Sequence, residues 1–224
     1  MSDLRLVVFD VDGTLVDSQG DILAAMTVAF GDVNLPVPSQ EDILGIVGLS
    51  LNVAMPLLAP DASRQTHHKL EDAYKDAYVQ LRASQGAALS SPLYPGAREM
   101  LEHLQQQPHT LLGVATGKSR RGLDKLLEGH DLMSTFVTEQ VADFHPSKPH
   151  PSMLQSALSE TGVTTDCAVM VGDTSYDMDM ARAAGMAAIG VSWGYHDIKV
   201  LTAADVVIDS FDALPAALEQ IWGR

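Results

Sequence analysis

A chain of 224 residues, 46% of them hydrophobic, is long enough to bury a sizeable core in one domain or in one domain carrying an insertion. Its formal net charge of -15, with only 14 lysines and arginines, opposes any polyanion and argues against nucleic acid as a partner. A single cysteine, Cys167, rules out an intramolecular disulfide and fits a reducing cytoplasm, and no apolar run approaches the ~18–20 residues of a membrane span.

The first ten residues, Met1 to Asp10, lack the basic start, long apolar stretch and small-residue cleavage site of a signal peptide. Leu6 to Phe9 instead reads as a short buried strand. From Leu15 to about Ser90 only helical periodicity is visible: Ile22, Met26, Ala29 and Phe30, then Leu70, Ala73, Tyr74, Ala77, Tyr78 and Leu81. The Ser90 to Gly96 stretch, with Pro92 and Pro95, leads out of this block.

Beyond it, strands Leu111 to Ala115, Ala168 to Val171, Ala187 to Val191 and Val206 to Ile208 alternate with helical patterns, and Phe136 to Thr138 reads as a weaker strand. The helical patterns are Ala97, Met100, Leu101 and Leu104; Leu123, Leu126 and Leu127; Leu154, Ala157 and Leu158; and Leu214, Ala217, Leu218 and Ile221. Such alternation predicts an α/β fold, a doubly wound Rossmann-like parallel sheet over residues 1–16 and 90–224, with an inserted α-helical cap domain over 17–89. A cap on two linkers can open and close over a site. Cys167 is expected to pack in the core, as are Met178, Met180 and Met186.

Ligands of open parallel sheets bind beyond the carboxyl ends of the strands, and here those ends are polar. They read Asp10-Val11-Asp12-Gly13-Thr14, Thr116-Gly117-Lys118 and Gly172-Asp173-Thr174-Ser175-Tyr176-Asp177, with Lys148 in the loop Pro146 to Pro151. Carboxylates of Asp10, Asp12, Asp173 and Asp177 gathered in one crevice repel one another unless a hard cation and Lys148 offset them. An oxygen-only donor set without clustered Cys or His points to magnesium rather than zinc, and magnesium leaves a coordination place for a phosphate oxygen. Asp177 has a second reading as a helix N-terminal acid, and Thr116 as a helix cap. Lys118 is open between a site role and a surface one, and Trp193 and Tyr195 between bordering the site and packing. The histidines form no ligand set, and Gly113 to Ser119 has one residue too few between its glycines for a nucleotide-binding P-loop.

Taken in order, Asp10-Val11-Asp12-Gly13-Thr14-Leu15, Thr116, Lys148-Pro149 and Gly172-Asp173 with Asp177 resemble the four motifs of the haloacid dehalogenase-like hydrolase superfamily. The resemblance spans essentially the whole chain. It implies that Asp10 is a nucleophile forming an aspartyl-phosphate and that Asp12 is the general acid and base. It also implies that Asp10, Asp173 and the backbone carbonyl of Asp12 ligate magnesium, with Asp177 supporting that shell. Thr116, Gly117 and Lys148 would bind the phosphate group.

Asp12 disfavours dehalogenase and phosphonate-cleaving relatives, which lack an aspartate there. The remaining look, including Gly48-Leu49-Ser50 and Gly190 to Tyr195, is similar to phosphoglycolate phosphatases. The implied function is a magnesium-dependent phosphatase acting on a small phosphorylated metabolite, phosphoglycolate among the candidates. Two other readings stay open: a sugar-phosphate mutase, although no histidine lies between Asp17 and Phe30, and a non-catalytic module that binds a phosphorylated metabolite. Arg64, Lys69 and Lys75 are the cap's candidate selectors of the leaving group, and nothing in the sequence sets an oligomeric state.

Overall fold

The computed structural model describes residues 4–223, without the side chains of residues 82–85 and 87, so Met1 to Asp3 of the segment read against a leader lie outside it. The strands are β1 (Arg5–Phe9), β2 (Thr110–Thr116), β3 (Thr138–Val141), β4 (Ala168–Gly172), β5 (Ala187–Val191) and β6 (Val206–Ile208). They form one six-stranded sheet in the order β3-β2-β1-β4-β5-β6, and every pairing is parallel. The chain winds outward from β1 in one direction through β2 and β3, then returns to β4 on the other side. The crevice beyond β1 and β4 is therefore the topological switch point, where ligands of such sheets sit.

Alternation along β1 divides the core. Val7 and Phe9 face one side with Leu112, Val114, Val169 and Val171, and pack on α6 (Ala97–Gln105), α7 (Arg120–Gly129) and α10 (Leu214–Trp222) through Leu101, Leu123 and Leu218. Leu6 and Val8 face the other with Ala168 and Met170, against Met153 and Leu154 of α8 (Ser152–Thr161) and Met178 and Ala181 of α9 (Ser175–Ala184). The methionines Met178, Met180 and Met186 are buried as expected, whereas Cys167 is only partly buried at the edge of the second cluster.

Between β1 and α6 lie five helices: α1 (Gln19–Asp32), α2 (Gln40–Gly45), α3 (Leu51–Leu58), α4 (Arg64–Gln85) and α5 (Ala87–Ser90). They hold a third apolar cluster of their own, with Ile22, Met26 and Phe30 of α1 meeting Ile43, Leu70 and Ala77. The chain enters and leaves this unit side by side: Val16 bridges Leu93, the Asp17 amide donates to the carbonyl of Pro92 at 2.9 Å, and the Tyr94 amide to that of Leu15 at 2.9 Å. No helix among the described residues is long and apolar enough to cross a membrane.

The weak third strand lies two residues later than Phe136 to Thr138. Its sequence, Thr-Glu-Gln-Val, carries almost no apolar signal because it is an edge strand whose polar side chains are bound laterally. Glu139 pairs with Arg120 at 2.6 Å, and the Gln140 amide donates to Glu160 at 2.9 Å.

Candidate active site

Parallel register sets where the polar residues emerge. Phe9 is opposite Val171 on β4 and Val114 on β2, so Asp10, Gly172-Asp173 and Thr116-Gly117 leave three adjacent strands at one level. The Asp10 amide donates to the carbonyl of Val171 at 2.9 Å, which anchors the residue to β4 just past the last strand pair. Asp10, Thr116, Lys148, Asp173 and Asp177 are all buried at 2% exposure or less, and Asp12 is the most open of the group at 9%.

Lys148 enters between two acids. Its Nζ lies 2.8 Å from Oδ1 of Asp10 and donates to Oδ1 of Asp177 at 2.6 Å. Burial opposes its charge, yet Asp10 and Asp177 together hold its pKa above the ordinary lysine value. Burial is likewise the main influence on Asp10, whose pKa is pushed up to about 7 against the pull of Lys148, with Asp177 and Asp12 adding to the rise. Asp173 is raised well above the ordinary carboxylate range, first by burial and then by Asp10 and Asp177.

Asp173 sits in a cradle that only glycines permit. The Thr14 hydroxyl donates to Oδ1 at 2.9 Å and the Tyr195 amide to Oδ2 at 2.8 Å. A Cβ on Gly13, whose φ is +83°, would stand 2.2 Å from one carboxylate oxygen, and a Cβ on Gly194 would stand 2.1 Å from the Asp173 Cβ. Asp177 closes a capping box on α9: the Thr174 amide and hydroxyl donate to its Oδ2 at 3.1 and 2.7 Å, while its own amide donates to the Thr174 hydroxyl at 3.3 Å. Oδ2 of Asp177 thus serves the helix terminus, while Oδ1 meets Lys148.

Carboxylate oxygens of Asp10, Asp173 and Asp177 lie within 4.8 Å of one another. Neither oxygen of Asp10 accepts a well-aligned hydrogen bond, although both are buried. Three buried carboxylates with one lysine between them leave negative charge uncompensated, and an all-oxygen donor set suits a hard divalent metal. The residues present fit such an ion.

Asp12 stands apart from this triad. Its Oδ1 is 2.8 Å from Nζ of Lys118 and accepts a short hydrogen bond from the Ser18 hydroxyl. Tyr195 supports Ser18 in turn, its hydroxyl accepting from the Ser18 amide at 2.9 Å. Of the four acids, only Asp12 lines the cavity of about 520 Å³ that opens between the sheet and the inserted helices. Gly117 and Lys118 line it as well, and Lys118 also donates to the Tyr78 hydroxyl of α4 at 3.1 Å. Thr116 is buried beside them, its hydroxyl accepting from the Lys118 amide at 3.2 Å; the cap of α7 is Ser119, which accepts from Gly122 at 3.2 Å.

Sequence reasoning placed all seven candidates, Asp10, Asp12, Thr116, Gly117, Lys148, Asp173 and Asp177, around this crevice. It assigned no part to Thr14, Ser18 and Gly194, and left Tyr195 and Lys118 open. Thr14 and Gly194 fall inside stretches with a recognisable pattern, but Ser18 carries no local signal; its role comes from contact with Tyr195, far along the chain. Trp193 packs against Phe211, their ring centroids 4.8 Å apart, and donates to the Thr14 carbonyl at 3.1 Å, so it braces the first loop. His145 bonds Gln140 and Ser152, and His150 accepts from the Ser152 amide, local contacts of the expected kind.

A switch-point crevice that holds a buried acid triad, a lysine and a separate acid facing a capped cavity defines a hydrolase class, and comparison with known proteins agrees. Residues 7–191 match the family model for the haloacid dehalogenase-like hydrolases, and the chain belongs to that family. It is 37% identical to a protein of Dickeya dadantii named as a probable phosphatase, IndB, over 95% of this chain and 92% of that one. It is 33% identical to the phosphoglycolate phosphatase of Aliivibrio fischeri, over 96% of this chain and 97% of that one. The solved structure of a predicted phosphoglycolate phosphatase from Haemophilus somnus superposes with a TM-score of 0.83 at 25% identity, covering 97% of this chain and 99% of that one. Within the family the chain is of the phosphoglycolate phosphatase-like type, an enzyme of the phosphatase class.

Proposed function

We propose that this chain is a magnesium-dependent phosphomonoesterase that works through an aspartyl-phosphate on Asp10. The observation that carries the reading is the state of Asp10: buried, at the switch point, ion-paired to Lys148, with both carboxylate oxygens free of well-aligned hydrogen bonds. With Oδ1 facing the Lys148 ammonium, Oδ2 remains available to attack phosphorus.

An Asp10 oxygen forms the new bond to phosphorus while the bond from phosphorus to the leaving oxygen breaks, and Asp12 gives that oxygen its proton. Asp12 then takes a proton from the water that attacks the phosphoryl-aspartate, so phosphate leaves and both acids return to their starting states. Lys118 and Ser18 hold the Asp12 carboxylate in place throughout. Lys148 offsets charge on Asp10 and on the phosphoryl oxygens, and Thr116 with the Gly117 backbone holds those oxygens. Magnesium, held by Asp10, Asp173 and the Asp12 carbonyl with Asp177 beside them, supplies countercharge to the phosphoryl group when bound.

Residues 1–16 with 90–224 serve as the catalytic core in this reading, and residues 17–89 as the cap that covers it. The substrate is a small phosphorylated metabolite, and phosphoglycolate is the first compound to try. Phosphate release from a panel of sugar phosphates, nucleotides, phosphoglycolate and a generic aryl phosphate, with magnesium and with EDTA, tests the assignment. Release that needs magnesium supports it; full activity in chelator excludes this mechanism, and no release at all removes the phosphatase reading.

A further inference from the structure

The cavity above Asp12 is larger and less polar than a two-carbon acid needs. At about 520 Å³ it has room for roughly seventeen waters at ~30 Å³ each, and it falls in the ~300–1,000 Å³ range of pockets that enclose ligands of many more atoms. The inserted helices contribute Ile22, Met26, Leu51 and Tyr78 to its wall, and the turn between α2 and α3 adds Val47 and Leu49. Tyr74 lines it beside Tyr78, their ring centroids 5.7 Å apart, so a pair of aromatic faces borders the space.

A carboxylate on the leaving group would require a cation beside it, and the described cations that line the cavity, Lys75, Lys118, Arg121 and Lys125, stand by acids or at its exposed edge. Lys118 faces Asp12 at 2.8 Å. Lys125 and Lys75 sit at the exposed edge, near Glu128 at 2.6 Å and Glu71 at 3.9 Å, and Arg121 is exposed there too. Of the expected selectors, Arg64 lines a different hollow with His67 and His68, and Lys69 lines neither cavity.

We propose that the preferred substrate is a phosphomonoester whose leaving group is an uncharged, largely apolar alcohol, alkyl or aryl, bulkier than glycolate, with Leu49, Leu51 and Tyr78 among the residues that select it. This rests on the phosphomonoesterase reading above, because Asp12 at the cavity floor is what directs the leaving oxygen into that space. Burying the alcohol's carbon chain against these side chains contributes through the hydrophobic effect, while a charged leaving group must give up hydration that the apolar wall does not replace.

The test is a series of primary alkyl phosphates from propyl to hexyl, in which leaving-group chemistry is constant and only buried length changes, compared with phosphoglycolate. The expected kcat/KM rises roughly fourfold per added methylene, and hexyl phosphate exceeds phosphoglycolate. A flat or falling series, or a preference for phosphoglycolate, overturns the inference while leaving the phosphatase reading intact, because phosphate is still released. If no member is turned over, the phosphatase reading falls, and calorimetric affinity for the matching alkylphosphonates decides the cavity's preference alone. Tightening with length then supports an apolar site, and a flat series overturns it. Leu51→Lys, or Ile46→Lys should the first fail to fold, is expected to flatten the series and raise turnover of phosphoglycolate; a folded lysine variant that keeps the wild-type slope overturns the assignment.

Discussion

Asp10 owes its chemistry to a sequence of four apolar residues before it. Leu6 to Phe9 are fully buried, and the next side chain must then emerge at the sheet's end among other acids. Asp10→Asn keeps the size and removes the proposed nucleophile, so kcat is expected to fall on the order of 10⁴-fold or more while the circular dichroism spectrum is unchanged. Asp12→Asn removes proton transfer only, with an expected loss of about 10²–10⁴-fold, less for substrates whose leaving group is already a weak base. Lys148→Met acts on stability as well, because it leaves Asp10 and Asp177 facing each other without a countercharge in a buried site. The expected cost is about 3–5 kcal/mol in denaturant unfolding without metal, and a variant as stable as the parent would contradict the ion-pair geometry. The positions of these residues were legible in sequence because each directly follows a strand or lies in a patterned loop. Ser18 and Lys118 were not, since what they do is set by their contacts with Asp12.

At the scale of elements, the inserted helices meet the core through backbone as much as side chains. A Cβ on Gly117 would lie 2.7 Å from the carbonyl oxygen of Gly48 and 2.9 Å from that of Leu49, so only glycine lets the phosphate-side loop approach the cap this closely. A second bridge joins α2 to α9 and to the loop after β5: Tyr176 of α9 donates to the Gly45 carbonyl at 2.9 Å, and Nε2 of His196 lies 3.2 Å from the same oxygen. Nδ1 of His196 accepts the Ser175 amide at 3.2 Å, an arrangement that requires the neutral ring. Burial lowers its pKa, with the Gly45 bond and Asp177 acting the other way. The stability it contributes is therefore fully present above the ordinary histidine value of 6.5 and lost as pH falls toward its lower folded value. Melting temperature should drop more between pH 7.5 and 5.5 in the parent than in His196→Gln, and equal drops would remove His196 as the cause. The strand and helix alternation was readable from periodicity, but α2 and α3 were not, being only 6 and 8 residues long.

For the molecule as a whole, the acid cluster links metal, protons and folding. Burial raises Asp10 to about 7 and Asp173 well above its usual range in the metal-free protein. Their protonated forms are favoured by the fold, so that contribution is fully present below the ordinary value of 3.8 and is lost as pH rises through about 7. A divalent ion bound there would supply the missing countercharge, and its stabilising effect should grow across the same window. A fixed magnesium concentration, 100 times the Kd at pH 8, is expected to add about 2.7 kcal/mol at that pH, roughly 5–10 °C in melting temperature, and less at pH 5.5, where the Kd is larger. An increment independent of pH would show that the cation binds away from Asp10 and Asp173.

Composition, strand periodicity and the residues directly following each strand determined the sheet, the helical insertion and the acids of the crevice, because those features are written locally in the pattern of apolar side chains. Tertiary structure alone decided what surrounds them. The glycine cradle of Asp173, the Ser18–Tyr195 support of Asp12 and the apolar wall over it join residues as much as 177 positions apart, and no local spacing encodes contacts that exist only once the sheet has closed and the inserted helices lie across it.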